Sequence, residues 1–123
     1  MTKLSLLGVP HDDYSSFLKG AAKAPAPIRA ALWCDGYSAR SETGVDLAEP
    51  GRLVDHGDVA FDAATDPWAA IEARVGQALE TGRPLICLGG DHAVTHPILR
   101  ATRRRQPRLT IVHIDAHLSL IHI

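Results

Sequence analysis

At 123 residues, 46% hydrophobic and 22% charged, the chain has the length of one domain or of a piece of a larger one, and enough apolar content for a packed core, which excludes an intrinsically disordered segment. A formal net charge of -1 excludes a partner chosen by bulk electrostatics, because non-specific nucleic-acid binding needs many Lys and Arg to neutralise phosphates. Cys34 and Cys87 stand in no metal or redox spacing, and the N-terminal apolar run is too short for a signal-peptide core or a membrane span, so a cytoplasmic protein with no membrane partner is expected.

In chain order, Leu4–Val9 is an apolar run closed by Pro10, the pattern of a buried strand. His11 to Lys23 has loop composition. Pro25 and Pro27 then sit where proline fits the first turn of a helix, with Ile28–Cys34 as its body. Residues 35–51 carry Gly36, Gly44, Pro50 and Gly51 without periodicity and read as an irregular excursion, after which Leu53-Val54 begins a brief strand ending in Asp55-His56-Gly57-Asp58. Asp66 is an N-cap with Pro67 behind it. Trp68, Ile71, Val75 and Leu79 fall at helical spacing until Gly82, the clearest helix in the sequence.

Pro84–Leu88 is a continuous apolar run that breaks on Gly89-Gly90, and Leu109–Ile114 is another that ends on Asp115. Between them Thr95 is a possible cap for a helix with Pro97 in its first turn, running to the basic Arg103-Arg104-Arg105, which reads as a solvated helix end complementing the dipole. Strands apolar throughout that alternate with helices belong to a parallel sheet covered on both faces, so the class is α/β.

In such a sheet ligands bind at the carboxyl ends of the strands. Two polar clusters occupy that position: Gly89-Gly90-Asp91-His92, and Asp115-Ala116-His117. Each alone has an ordinary structural explanation, such as Asp91 capping the next helix. Together, at the ends of two consecutive predicted strands, they point to a metal site. Imidazole with carboxylate and no nearby thiolate favours a borderline to hard divalent ion such as manganese. Asp115 and His117 are two apart, so in an extended segment both face the same way. His113 shares that parity. A zinc set of His113, Asp115, His117 and His122 is one alternative, while the position of His113 inside an apolar run suggests a core histidine or a donor that orients a ligand.

These residues resemble those of the ureohydrolases, the arginase, agmatinase and formiminoglutamase family. Gly89-Gly90-Asp91-His92 is similar to that family's first metal motif, and Asp115-Ala116-His117 to the start of its second. Gly8-Val9-Pro10 leading to Ser15-Ser16-Phe17, then Ala24-Pro25-Ala26-Pro27-Ile28-Arg29, then Asp55-His56-Gly57-Asp58-Val59 follow the family's early sequence in order. The resemblance implies a three-layer α/β/α fold with a mainly parallel sheet, arginase-like and incomplete in this chain. It also implies two Mn2+ ions in the complete site and hydrolysis of a guanidino or amidino carbon–nitrogen bond in a small substrate. His92 would ligate one ion, His117 the other, and Asp115 would be shared; Asp91 would be no ligand. Ser15-Ser16-Phe17 leans towards agmatinase-like members, and a homo-oligomer is expected at full length.

The departure follows at once. Where the family places a second Asp, this chain has Ser119, a neutral hydroxyl in place of a carboxylate, and an apolar tail, Leu118-Ser119-Leu120-Ile121-His122-Ile123. By resemblance the remaining metal ligands and the catalytic acid/base lie beyond residue 123. Residues 1–123 are therefore expected to be the N-terminal part of a single ureohydrolase domain, with 118–123 a non-native tail and the fragment inactive.

Overall fold

The structure, a computed structural model, describes residues 3–115. Its centre is β1 (Leu4–Gly8), in which Ser5, Leu6, Leu7 and Gly8 are all buried. A strand apolar on both sides must be covered on both sides. It pairs in parallel with β2 (Leu53–Asp58) on one edge and β3 (Leu85–Leu88) on the other, in the order β2-β1-β3, with Leu4 opposite Leu53 and Gly8 opposite Leu88.

The period of two sorts the side chains into layers. Leu4, Leu6, Leu53, Ile86 and Leu88 face α1 (Pro25–Leu32) across an apolar groove that Ile28 and Leu32 also line. Leu7 and Val9 enter the opposite cluster with Ile71 and Val75 of α2 (Pro67–Leu79) and Ala101 of α3 (Thr95–Arg105). This is α/β/α layering around a small parallel sheet, as the sequence implies. The α1 helix starts earlier than expected, at Pro25, and ends at Leu32.

The predicted start of α2 is found as drawn, since the Asp66 carboxylate accepts the Ala69 N–H at 2.9 Å with Pro67 in the first turn. Three expectations need correction. Leu109–Ile114 is not a strand: the run is irregular, with Ile111, Val112 and Ile114 61%, 81% and 93% exposed, and among the described residues the outer edge of β3 has no partner. A strand makes no hydrogen bonds within itself, so an apolar run specifies a wish for burial and leaves the ladder undetermined. Thr95 does not cap α3; Asp91 instead caps the short 3-10 turn His92–Val94 that leads into it. The basic run is more than a solvated end. Glu72 of α2, only 8% exposed, receives Arg100 at 3.2 Å and Arg104 at 2.5 Å, and Arg105 lies 3.3 Å from Glu80, so these cations hold α3 against α2.

Candidate metal centre

The loops that leave the carboxyl ends of β1 and β3 touch directly. Val9 N–H donates to the Leu88 carbonyl at 2.8 Å, and Asp91 N–H donates to the His11 carbonyl at 3.0 Å. Gly90 lies so close that a Cβ there would stand 1.8 Å from the His11 oxygen, so only glycine fits. Beyond it the Asp91 carboxylate accepts Ala93 N–H at 3.0 Å through one oxygen and Tyr14 N–H at 2.9 Å through the other. The turn that carries His92 is fixed by these bonds, and the His92 imidazole projects from it at the surface.

His92 meets the second cluster there. Its ring stacks on His113, with centroids 5.2 Å apart and planes 12° apart, and His113 Nε2 lies 3.2 Å from an Asp115 carboxylate oxygen. One donor atom from each of His92, His113 and Asp115 lies within 4.8 Å of the other two. Thus of the three predicted ligands the structure brings His92 and Asp115 together, while His117 lies outside the described residues, as do Ser119 and the 118–123 tail. The core-histidine reading of His113 is overturned, because its side chain is 46% exposed. His113 stands instead beside Asp115, one of the predicted ligands. Parity, which placed His113 and Asp115 on one side of an extended segment, was the signal for that contact. The imidazole of His92 and the carboxylate of Asp115, with no thiolate beside them, are donors of the kind that fits manganese.

Sequence reasoning missed His11. It is 6% exposed, among the rings of Tyr14, Phe61 and Trp68 at centroid distances of 5.9, 5.2 and 5.6 Å, and neither ring nitrogen has a hydrogen-bond partner. The nearest carboxylate oxygen, on Asp13, is 3.6 Å from Nε2, too far for a hydrogen bond. A histidine in a polar run, His11-Asp12-Asp13, gives no sequence signal of burial.

The loop that follows is tied at its neck. The Asp12 carboxylate accepts Gly20 N–H at 2.6 Å and Ala22 N–H at 3.0 Å, and these backbone bonds hold its pKa below the ordinary value. Lys19 bonds Asp13 at 2.7 Å, which lowers the pKa of Asp13 and raises that of Lys19. A shallow groove of about 600 Å³ runs between this loop and the turn that carries His92, lined by Tyr14, Ser15, Ser16, Phe17, Leu18, Asp91, His92 and Ala93.

The sequence model of the arginase family matches residues 2–122. The chain belongs to the arginase family. It is 36% identical to the mitochondrial arginase of Medicago truncatula over 96% of this chain and 38% of that one, and 35% identical to an agmatinase of Neisseria meningitidis over 91% of this chain and 38% of that one. The solved Medicago arginase superposes with a TM-score of 0.79 at 34% identity, over 94% of this chain and 39% of that one. A Trypanosoma cruzi formiminoglutamase solved with Mn2+ superposes at 0.69 and 27% identity, over 86% and 36%. This member of the arginase family therefore spans under two fifths of the length of those relatives, and they carry three different substrate names. No helix among the described residues is long and apolar enough to cross a membrane.

Proposed function

We propose that this arginase-family member, at the length of its relatives, is a binuclear-manganese amidinohydrolase that hydrolyses a guanidino or amidino carbon–nitrogen bond and, agmatinase-like, releases urea. Residues 1–123 form the N-terminal part of its single domain. His92, Asp115 and His117 would hold the ions. The observation that carries the reading is the convergence of His92 and Asp115, 23 positions apart in sequence, from two separate loops onto one small volume. A guanidinium resists attack by neutral water, and manganese when bound supplies a stronger nucleophile near neutral pH.

The chain's own residues hold that arrangement. Asp91 fixes the turn that presents His92, and His113 contacts both ligands, its ring on His92 and its Nε2 beside the Asp115 carboxylate. A stacked ring on one side and a polar contact on the other keep such side chains in one orientation. Ser119 favours a second reading, a non-catalytic relative that binds metal as a regulatory subunit, because a neutral hydroxyl replaces a carboxylate that helps to balance two cations.

Metal analysis after dialysis, with His92→Ala beside the wild type, tests the site. The full-length wild type should retain manganese and the variant lose most of it while keeping its fold, since a surface ligand contributes little packing. Assay on agmatine, arginine, guanidinobutyrate and formiminoglutamate should show agmatine preferred. Manganese retained without turnover on any of them would favour the regulatory reading; a stably folded wild type that retains none would remove both.

A further inference from the structure

Asp91 is adjacent to a proposed ligand, yet its carboxylate is used by two backbone N–H groups. One oxygen accepts Ala93 N–H at 3.0 Å, a bond within its own turn that caps the segment carrying His92. The other accepts Tyr14 N–H at 2.9 Å, 77 positions away in sequence, at the start of the loop that forms the far wall of the groove. Around this junction the backbone is already as close as it can be, with Gly90 against the His11 carbonyl.

Past Tyr14 the loop is tied chiefly to itself. Asp12 closes its neck on Gly20 and Ala22, Lys19 pairs with Asp13, and Phe17 and Leu18 at its tip are 88% and 72% exposed. The Tyr14 ring stacks on Trp68 with centroids 4.9 Å apart, which fixes the ring and leaves the backbone to be set by Asp91. The position of Ser15, Ser16, Phe17 and Leu18 relative to His92 therefore depends on this carboxylate, which adds to the backbone bond from Asp91 N–H to the His11 carbonyl at the root of the loop.

We propose that Asp91 is a positioning residue that sets the width and lining of the groove beside His92, and so the binding of an alkyl-guanidinium or alkyl-amidinium substrate, without contacting metal or substrate. The groove's chemistry suits that class. The face of Phe17 attracts an organic cation, the Ser15 and Ser16 hydroxyls accept its N–H groups, the Asp91 carboxylate adds negative charge behind them, and neither lysine nor arginine lines the groove. This inference rests on the amidinohydrolase reading for its substrate, and the test below separates the two.

The geometry makes Asp91→Asn informative. Its single carbonyl oxygen can still cap Ala93 N–H, since Asn caps well, but its NH2 then opposes Tyr14 N–H, donor against donor. Asp91→Ser likewise keeps a capping oxygen and is too short to reach Tyr14. Backbone amide exchange measured on the full-length enzyme by mass spectrometry with residue-level fragmentation should show the Tyr14 amide exchanging at least about tenfold faster in both variants, the loss of one bond to a charged acceptor, with the Ala93 amide within about threefold of wild type. In the full-length enzyme Asp91→Asn should raise KM about tenfold with kcat changed less than about threefold, and leave manganese content as in wild type.

Unchanged Tyr14 exchange in both variants would overturn the proposal. So would joint loosening of Tyr14 and Ala93 with a lowered melting temperature, or a kcat loss with KM unchanged, each of which makes Asp91 a cap and nothing more. If instead His92→Ala leaves manganese untouched, the amidinohydrolase reading falls while the exchange data still decide what Asp91 does to the loop.

Discussion

Arg29 on α1 joins the helix layer to the end of β2, and replacing it with Leu should destabilise the chain by about 2 kcal/mol. The side chain is 18% exposed. Its Nε donates to Asp55 at 2.7 Å, one terminal nitrogen to the other Asp55 oxygen at 3.1 Å and to the Gly57 carbonyl at 2.8 Å, and the second terminal nitrogen to Asp58. Asp58 in turn sits against Gly8, where a Cβ would lie 1.9 Å from its Oδ1. Removing one partner of a fully buried pair costs about 3–5 kcal/mol because the other is left unpaired. Here Asp55 and Asp58 are 35% and 40% exposed, so water recovers part of that loss and about 2 kcal/mol is expected.

The same contact sets a pH dependence. Burial acts to raise the Asp55 pKa, but the Arg29 hydrogen bond and the Gly57 N–H outweigh it and hold the group below its ordinary value of 3.8. A carboxylate whose folded pKa is depressed adds stability above its unfolded value, and that part is lost as pH falls through the folded one. Urea unfolding of wild type and Arg29→Leu should therefore give a constant difference from pH 7 down to about 5, shrinking below about 4. A difference under about 0.5 kcal/mol at pH 7, or one that is the same at pH 7 and pH 2.5, would refute the reasoning.

His11→Phe should raise stability by about 1 kcal/mol in the same urea assay, because it removes two buried ring nitrogens that have no partner while keeping the aromatic packing; a loss of stability would mean that a bound water satisfies them. Cys34 is exposed, whereas burial pushes the Cys87 thiol up to about 11, so iodoacetamide at pH 8 should label Cys34 alone, and mass spectrometry showing Cys87 modified at a similar rate would contradict the packing of β3. The 123 residues alone should show no urea release with added manganese, and should self-associate in sedimentation as concentration rises, through the uncovered edge of β3 and the exposed Ile111, Val112 and Ile114; a monodisperse, active product would overturn both statements.

The sequence by itself determined the local elements and the site's two motifs. Pro67 behind Asp66 marked the start of α2, the apolar runs Leu4–Val9 and Pro84–Leu88 marked paired strands, and both were legible because caps, breakers and periodicity act within a few residues. Gly89-Gly90-Asp91-His92 and Asp115 were singled out by residue type, imidazole and carboxylate after an apolar run, although only the first follows a strand of the structure. Tertiary structure decided everything that depends on a partner distant in sequence. It set the strand order that puts β1 between β2 and β3, left Leu109–Ile114 unpaired, turned Arg104 towards Glu72, and placed His113 beside His92 instead of in the core. It also buried His11 among the ring of Tyr14 in its own loop and those of Phe61 and Trp68 from distant parts of the chain, and gave the second oxygen of Asp91 to Tyr14. Pattern along the chain tells a residue how much burial or bonding it needs, whereas the identity of the group that meets the need is fixed only when the layers close.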